Sequence, residues 1–450
     1  MNDFDIAIIG GGLVGASLAV ALAESPLRVV LIEAAAPPAS APARAQVNPG
    51  PISSVGTSPA APPAPTSLRS GTVSGPRWDE RCIALNDASH RIFGGYGVWD
   101  AMRAEAAPIT ATHISERGRF GTARFAASEA GLEALGYNVP LRAIGAALSA
   151  RMAQLPNLTL LQPARLSALK PGEHSVALSI ESGGATRTLS ARLVAAADGA
   201  RSAVRDLLGI AAERRDYAQH AIVSAVRLSR PHQGVAYERF TPDGPIALIP
   251  KPDDAASLVW TLPDDQVEAR MALSDAEYLA LAQDCFGGRL GRFTELGRRW
   301  SHPLARVLSG SLTAPRTVFI GNAAQSLHPV AAQGFNLGLR DVAGLAAEIA
   351  NAADPGTAAT LAAYAERRER DRGRVSDFTD LMVRTFSNRV PFLAQARHWG
   401  LVAVELAPPL RSAVLRQHLG HLGLPRATLS AAADTSSIVA KVPSPLGGEG

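Results

Sequence analysis

Residues 5–33 read DIAIIGGGLVGASLAVALAESPLRVVLIE, and this stretch decides the fold. Ile6–Ile9 is a short apolar run rich in β-branched residues, which is typical of a buried parallel strand. A G-x-G-x-x-G pattern and a helical stretch rich in Ala follow, and a second apolar run, Val29–Ile32, ends in Glu33. Strand, glycines, helix, strand and terminal acid in this order predict a βαβ unit that binds a dinucleotide.

The residues of this unit have separate tasks in such a site. Gly10 permits a tight turn, Gly12 lets the pyrophosphate approach the backbone, and Gly15 lets the helix pack closely on the strand. The phosphates would lie at the N–H groups and positive dipole of the helix N-terminus. Glu33 lies about 20 residues further on, where a carboxylate accepts hydrogen bonds from ribose hydroxyls. The unit by itself leaves FAD and NAD equally open.

Composition limits the possible class of protein. A length of 450 residues suggests two or three domains, and a hydrophobic content of 47% is ample for a core. The net charge of +4 comes from scattered Arg residues, so no nucleic-acid partner is expected. A basic face that contacts an anionic membrane remains open.

Cysteine usage and hydropathy indicate a cytoplasmic protein. Cys82 and Cys285 lack C-x-x-C spacing and a neighbouring His pair, so we expect two reduced thiols and no metal site. The first residues have neither a basic region nor a cleavage site, so no signal peptide is expected. No apolar run reaches about 18 residues, so no transmembrane helix is expected.

Two segments have a composition unlike the rest of the chain. Residues 34–77 hold many prolines and lack acidic and aromatic residues, so they cannot bury enough apolar surface to offset their ordering entropy. We predict a disordered insertion there, after the second strand. Residues 425–450, which end in the Pro/Gly-rich stretch VPSPLGGEG, are predicted to be a disordered tail.

Two further stretches end a strand and begin a helix. Asp198–Ser202 follows the buried strand Leu193–Ala197, and Gly321–Gly338 follows the buried strand Val318–Ile320. One doubly wound sheet would bring these junctions and the first glycine loop to the carboxyl edge of its strands. The last junction suits a flavin best, because a helix starting near Asn336 would stabilise negative charge on the reduced ring.

Short strands at regular spacing predict a second sheet, which we expect to be antiparallel with one open face. These strands are Ala221–Leu228, Val235–Phe240, Ile246–Pro250 and Ser257–Leu262. Asn86 is predicted to cap a helix, and Ser274 with Glu277 forms a capping box for another.

The three junctions together resemble the flavoprotein aromatic hydroxylases, the class of para-hydroxybenzoate hydroxylase. That class closes on a Gly-Asp-Ala-Ala-His motif, whereas this chain has Asn322 and Gln325 in place of the Asp and the His. The pattern GNAAQ-x-LHP-x-x-x-QGFNLG-x-RD resembles one branch, the ubiquinone-biosynthesis hydroxylases, of the 2-octaprenyl-6-methoxyphenol hydroxylase type. DERCIAL at 79–85 and HISERG at 113–118 are similar to that branch too. The resemblance spans residues 4–424, with Ala332 departing from the usual Gly.

The resemblance implies an α/β fold with a Rossmann-like, doubly wound FAD-binding domain of the GR2 type, interleaved with an antiparallel-sheet substrate domain and followed by C-terminal helices. The expected FAD-binding domain comprises residues 1–108, 137–210 and 313–352, the substrate domain 109–136 and 211–312, and the helical region 353–424.

The resemblance also assigns residues to the site. The expected cofactor-binding residues are Gly10, Gly12, Gly15, Glu33, Arg81, Arg142, Asp198, Gly321, Asn322, Gly334 and Asn336. Arg81 and Arg142 are equally open to a role as surface or domain-bridging arginines. Pro329, Gln333 and Gly334 are expected to line the flavin, and His328 is a weak acid–base candidate that competes with a structural role for this His. No other catalytic residue is named.

The implied reaction is that of an FAD-dependent monooxygenase. NAD(P)H would reduce a tightly bound FAD, and a flavin C4a-hydroperoxide formed with O2 would hydroxylate a polyprenylated phenol in ubiquinone biosynthesis. A membrane-soluble substrate suggests peripheral contact with the inner face of the cell membrane through the basic stretch Arg384–Arg416, unless those helices pack on the flavin domain.

Three other functions remain open at this point. The chain could hydroxylate a soluble aromatic compound, or transfer hydride without inserting oxygen. It could also be a flavin-loaded, non-catalytic member of a quinone-biosynthesis enzyme complex.

Overall fold

The computed structural model describes residues 2–36, 79–119, 121–327, 333–386, 400 and 403–421. The predicted insertion lies outside these ranges except for Ala34–Ala36, and the predicted tail lies wholly outside them. His328, Pro329 and Ala332 also lie outside the described residues.

A mainly parallel sheet forms the centre of the part of the molecule that carries the strand–helix junctions. Its eight strands are β1 (Phe4–Ile9), β2 (Val29–Ile32), β8 (Leu158–Leu161), β9 (Arg165–Pro171), β10 (Val176–Ser182), β11 (Ala185–Ala196), β18 (Thr313–Ala314) and β19 (Thr317–Phe319). The order β19-β11-β1-β2-β8 is parallel throughout, and β9, β10 and β18 add antiparallel pairs. The predicted strand Leu193–Ala197 is the end of the longer β11, whose first half pairs with β10.

Both faces of this sheet are covered, which explains why Ile6–Ile9 of β1 and Val29–Ile32 of β2 are apolar at every position. Ile6 and Ile8 of β1 pack into one cluster, and Ala7 and Ile9 pack into another on the opposite face. The covering helices include α1 (Leu13–Ala21), α3 (Leu141–Met152), α4 (Ala203–Leu207), α7 (Gln333–Ile349) and α8 (Ala358–Phe386). Helix α7 begins three residues before the predicted start near Asn336. The α/β class expected from the sequence is confirmed.

The second large sheet has nine strands. They are β5 (Ala111–Glu116), β6 (Thr122–Ala126), β12 (Ala212–Leu228), β13 (Val235–Thr241), β14 (Gly244–Pro250), β15 (Ala255–Pro263), β16 (Phe293–Leu296), β17 (Trp300–Ser309) and β20 (Gln325–Ser326). The four strands predicted from the sequence pair antiparallel, as expected, and one further pair in this sheet, β5 with β13, is parallel. These strands are distant in sequence, so neither their adjacency nor their direction could be read from local pattern.

Helices cover one face of the second sheet. Helices α5 (Asp264–Ala272) and α6 (Asp275–Phe286) lie on it, and α6 carries the predicted capping box of Ser274 and Glu277. The side chains of Trp260 and Tyr278 pack edge to face within this core, with ring centres 5.5 Å apart.

A small sheet connects the two large ones. It consists of β3 (Cys82–Asn86), β4 (Ala107–Ile109) and β7 (Gly136–Pro140). Asn138 Nδ2 donates to the carbonyl of Pro250 (2.8 Å) and to Ser257 Oγ (3.3 Å) in the second sheet. Asn86 caps α2 (Asp87–Gly95), as predicted, by accepting from Ser89 N at 3.0 Å.

The C-terminal helices extend over both sheets. Helix α9 (Pro408–Leu419) buries Leu415 and Leu419 against Phe125 of β6. Among the described residues, none of the helices combines the length and hydropathy needed to cross a membrane. The domain boundaries given above stay a prediction.

Candidate functional site

The three strand–helix junctions lie side by side in the structure. Strand β11 pairs in parallel with both β1 and β19, so Ile9, Ala196 and Phe319 are neighbours at the carboxyl ends of their strands. The prediction that one sheet edge collects all three junctions is confirmed. Ligands of doubly wound sheets bind at such an edge.

The first loop is shaped by its glycines. Gly10 has a φ of +101°, and a Cβ there would lie 2.6 Å from the carbonyl oxygen of Ala197. A Cβ on Gly15 would lie 1.9 Å from the carbonyl oxygen of Gly10. A Cβ on Gly12, by contrast, would meet nothing within 4 Å. Gly10 and Gly15 are therefore required by the protein's own packing, whereas Gly12 leaves open space at the N-terminus of α1.

Glu33 braces this loop in the structure. Its Oε2 accepts from Gly11 N at 2.5 Å, and its Oε1 accepts from Ala35 N at 2.6 Å. The carboxylate lies at the end of β2 and next to the glycine loop, where a ribose hydroxyl could share it. Its contact with a ribose stays a prediction.

Asp198 presents a buried acceptor at the second junction. Its Oδ2 accepts from Val204 N at 3.0 Å, whereas its Oδ1 is buried and has no hydrogen-bond partner among the described residues. Burial raises the pKa of Asp198, and hydrogen bonds from Ser202 and Val204 oppose that shift. An orphaned carboxylate oxygen here fits a ligand that carries hydroxyl groups, as the ribityl chain of FAD does.

The third junction packs directly on the first. Gly321 has a φ of +58°, and a Cβ there would lie 2.9 Å from Val14 Cγ2 of α1. Asn322 next to it is exposed, and its predicted contact with a ribityl hydroxyl stays a prediction. At the start of α7, Gln333 has a buried Oε1 without a partner in the described residues, and Gly334 has open space where a Cβ would be. These features fit a planar ligand ahead of α7.

The side chain of Asn336 is used for another purpose. Its Oδ1 accepts from Asn86 N at 3.0 Å, and its Nδ2 donates to the carbonyl of Ala84 at 2.9 Å. Both ends of the amide therefore bind the backbone of β3 and hold that strand against α7. The expected contact of Asn336 with a cofactor stays a prediction.

A buried network of charges holds the third junction in place. Asp341 Oδ2 accepts from Gly321 N (2.9 Å) and from Gln325 Nε2 (2.5 Å), and Asp341 Oδ1 accepts from Arg368 Nε (2.8 Å). Arg368 Nη1 also donates to Asp371 Oδ2 at 2.5 Å. Gln325, one of the two departures from the class motif, thus supplies a donor to this network.

Sequence reasoning missed the network. Arg340, Asp341, Arg368 and Asp371 are each at most 2% exposed, and Arg340 Nη1 donates to Asp371 Oδ1 at 3.0 Å. The available signal was the charged pair Arg340-Asp341, which lies between the apolar runs Leu337–Leu339 and Val342–Ala346 of α7. Its partners are on α8, and only the packing of α7 on α8 brings them together.

The two predicted arginines each contact side chains outside the glycine loops. The Arg81 guanidinium carbon lies 5.7 Å from the ring centre of Trp300 in β17, and burial lowers its pKa. Arg142 forms ion pairs with Glu80 and Glu105, and these raise its pKa. Both arginines therefore bridge elements of this chain, and their contact with a flavin nucleotide stays a prediction.

No group of three or more His, Cys, Asp or Glu side chains in the described part of the chain is placed to hold a metal ion. Cys82 and Cys285 are both free thiols.

Comparison with known proteins agrees with this geometry. The model of the family described as an FAD binding domain matches residues 71–379. The ubiquinone hydroxylase UbiL of Rhodospirillum rubrum is 36% identical over 424 residues, which cover 93% of this chain and 90% of that protein. The 3-demethoxyubiquinol 3-hydroxylase of Escherichia coli is 33% identical over 423 residues, covering 92% and 98%.

A solved structure supports the fold. The p-nitrophenol 4-monooxygenase PnpA from Pseudomonas putida superposes with a TM-score of 0.70 and covers 93% of this chain and 99% of its own. Its sequence identity is 16%, so the likeness concerns the fold alone.

Proposed function

This chain belongs to the FAD-binding family of flavin-dependent hydroxylases, and on that premise we propose that it hydroxylates the ring of a polyprenylated phenol in ubiquinone biosynthesis. The protein is an FAD-dependent monooxygenase, with NAD(P)H as reductant and O2 as co-substrate. The proposed substrate class rests on one observation. The chain is 36% and 33% identical in sequence, over nearly its whole length, to two proteins named as hydroxylases of ubiquinone or its precursors.

Residues of all three junctions would hold the parts of FAD outside the flavin ring. The N–H groups at the start of α1 and the open space at Gly12 would receive the pyrophosphate. Glu33 would accept from the adenosine ribose. Asp198 Oδ1 and the exposed Asn322 would bind hydroxyls of the ribityl chain.

The third junction would hold the flavin ring. Gln333 and Gly334 would border it, together with Pro329, and the N-terminus of α7 would stabilise negative charge on the reduced ring. The bound flavin would supply the redox chemistry, that is, electron uptake from NAD(P)H and activation of O2. The protein would orient the phenol and exclude water.

The substrate's position supports a finer proposal. We infer that the phenol lies between the flavin and the second sheet, and that it is of the 2-polyprenyl-6-methoxyphenol type. The polyprenyl chain would require contact with a bilayer surface. Leu406 and Leu410, next to and within α9, are 76% and 44% exposed and supply apolar area for such contact.

The decisive experiment follows oxygen into the product. The purified yellow protein is supplied with NADPH or NADH, a prenylated methoxyphenol and isotopically labelled O2. We expect one labelled oxygen in the product. Label found with a free hydroxybenzoate alone would favour a soluble substrate, and reduction without label would favour hydride transfer. Bound FAD with no NAD(P)H oxidation on any quinone precursor would favour a non-catalytic role.

A further inference from the structure

One row of side chains crosses the second sheet at right angles to its strands. The pairing registers connect Trp300 to Val223, Val223 to Val259, Val259 to Ala247, Ala247 to Glu238 and Glu238 to Ile114. Residues in register across a sheet share one face. Each of the six is partly exposed. The row is therefore an accessible wall, apolar except for one carboxylate.

The opposite face of the same strands is closed. Ile222, Trp260, Ile246 and Leu248 are at most 1% exposed and form the core beneath α6. On strand β13, Tyr237 is directed to this closed face, where it packs against Phe286 of α6. Alternation along the strand then directs Glu238 to the accessible face.

The accessible face is the one turned toward the cofactor half of the molecule. Ser257 lies on it and contacts Asn138 of the small sheet, and Trp300 lies against Arg81, which directly precedes β3. Strand β20, which belongs to the third junction, pairs with β17 at the edge of the same sheet. The row thus faces the region between the second sheet and the strand–helix junctions.

The carboxylate of Glu238 is energetically unfavourable in these apolar surroundings. Among the described residues nothing donates a hydrogen bond to its carboxylate or pairs with it, and its register neighbours Ala247 and Ile114 are apolar. Burial alone raises the pKa of Glu238 to about 7. Other ionisable groups directed to this face from the surrounding elements include Arg81 and Arg298 against Trp300, Lys251, which donates to the carbonyl of Glu80, Glu116 of β5, His302 of β17 and His418 of α9. A carboxylate that has no hydrogen-bond donor within an apolar wall indicates that the bound ligand supplies the donor.

We propose that Glu238 is the residue that recognises the phenolic hydroxyl of the substrate, by accepting a hydrogen bond from it, and that it takes that proton during hydroxylation. The proposal rests on the proposed function for the identity of the substrate as a phenol. The apolar members of the row would then contact the ring and its prenyl chain.

The proton transfer balances within the reaction. The phenol O–H bond breaks, its proton moves to a carboxylate oxygen of Glu238, and the electron pair enriches the ring. A ring carbon then forms a bond to the hydroxyl that the monooxygenase reaction delivers. The bond between that hydroxyl and its donor breaks, and the electron pair of the broken bond stays on the donor. The C–H proton then leaves the ring and protonates the donor, which had kept that electron pair, and Glu238 returns its own proton to the phenolate oxygen. The carboxylate ends the cycle as it began.

The test compares ligands with and without the hydroxyl. The probes are a 2-methoxyphenol with a short prenyl chain and the same compound with its hydroxyl methylated. Each is titrated against the FAD-loaded protein while the flavin absorbance is followed. The variants are Glu238→Gln, which keeps the shape of the side chain, and Glu181→Gln, a control at an exposed carboxylate of β10 in the first sheet.

We expect the unmodified protein and the control to bind the phenol about 10- to 100-fold more tightly than the methyl ether, as a hydrogen bond to a charged group would give. Glu238→Gln should lose this preference, retain its FAD and bind the ether unchanged. Its kcat should fall more than its KM rises, and the lower limb of its pH–rate profile should move. A preference that survives in Glu238→Gln overturns the assignment.

The titration together with the labelled-oxygen assay described above separates this proposal from the proposed function. If the unmodified protein incorporates labelled oxygen but binds phenol and ether equally, the role of Glu238 is wrong and the hydroxylase function stands. If it binds neither probe and incorporates no label, the phenol substrate is wrong and the role of Glu238 is overturned with it.

Discussion

At the scale of the residue, the glycines of the first loop separate into two kinds. Gly10 and Gly15 have protein atoms within 2.6 Å and 1.9 Å of any added Cβ, so a side chain there would disturb the fold. Gly12 has no such neighbour, so the packing of the chain itself does not require a glycine there. This contrast makes the pyrophosphate site testable without unfolding the protein.

We expect Gly12→Asp to fold and to lose its FAD, because a carboxylate at the N-terminus of α1 would clash sterically with the pyrophosphate and repel its negative charge. The absorbance of the purified protein near the flavin bands measures the loss, and circular dichroism checks the fold. Gly145→Asp, at another position with open space, is the control and should remain yellow. A yellow Gly12→Asp protein would count against the site.

Glu238 makes a second prediction at this scale, about stability and pH. Its pKa is raised by burial from about 4.5 to about 7, so between these values the folded state binds more protons than the unfolded state. The contribution of this group to the free energy of unfolding is therefore largest at low pH and decreases as pH rises through that window. The decrease amounts to at most about 3 kcal/mol.

Glu238→Gln removes this titration. We expect its melting temperature relative to the unmodified protein to rise between pH 5 and pH 8, measured in the absence of substrate. A variant that differs from the parent by the same amount at both pH values would contradict the raised pKa.

At the scale of the element, the packing of α7 on α8 depends on buried charges. Arg368 pairs with Asp341 and Asp371, and Asp341 in turn holds the backbone of Gly321. A buried ion pair adds little net stability compared with apolar residues of similar size. Removal of one partner is nevertheless strongly destabilising, because the other charge is then buried without a partner. The network therefore connects the position of the third junction to the stability of two helices.

We predict that Arg368→Met lowers the free energy of unfolding by about 3–5 kcal/mol, because it strands two buried carboxylates. Denaturant unfolding of the FAD-free protein measures the effect. Arg370→Met on the same helix is the matched control, because Arg370 and its partner Glu366 are 67% and 70% exposed. The control should change stability by less than about 1 kcal/mol. Equal effects in both variants would show that the network has no special role.

At the scale of the whole molecule, one part of α9 packs against the protein and another part is exposed. Leu415 and Leu419 pack against the second sheet, and Arg411 pairs with Glu129 and Glu405. Part of the basic C-terminal stretch is thus committed to intramolecular packing. Leu406, which precedes α9, and Leu410 in its first turn stay exposed, and they supply the apolar contact proposed for a bilayer.

We expect the double variant Leu406→Ser and Leu410→Ser to bind anionic phospholipid vesicles roughly 10-fold more weakly, because less apolar area enters the interface. Vesicle co-sedimentation measures the change. Leu207→Ser, at a leucine of α4 that is 43% exposed, serves as the control and should bind as the parent does. Vesicle binding that is equal in all three proteins would remove this surface from consideration.

Local sequence determined the features that depend on neighbouring residues. The βαβ unit, the caps at Asn86 and Ser274, and the three strand–helix junctions follow from periodicity, glycine spacing and capping chemistry within a few residues. A parallel sheet must align the carboxyl ends of its strands, so even the meeting of the junctions could be foreseen. The family resemblance added the cofactor and the reaction.

Tertiary structure alone decided what depends on residues far apart in the chain. The parallel pairing of β5 with β13, the use of Asn336 to bind β3, and the charges that join α7 to α8 all rest on contacts across long stretches of sequence. The place of Glu238 in an apolar row is of the same kind, because no local pattern states which strands lie beside β13. A side chain's role in a site depends on its surroundings, and its surroundings come from the whole fold.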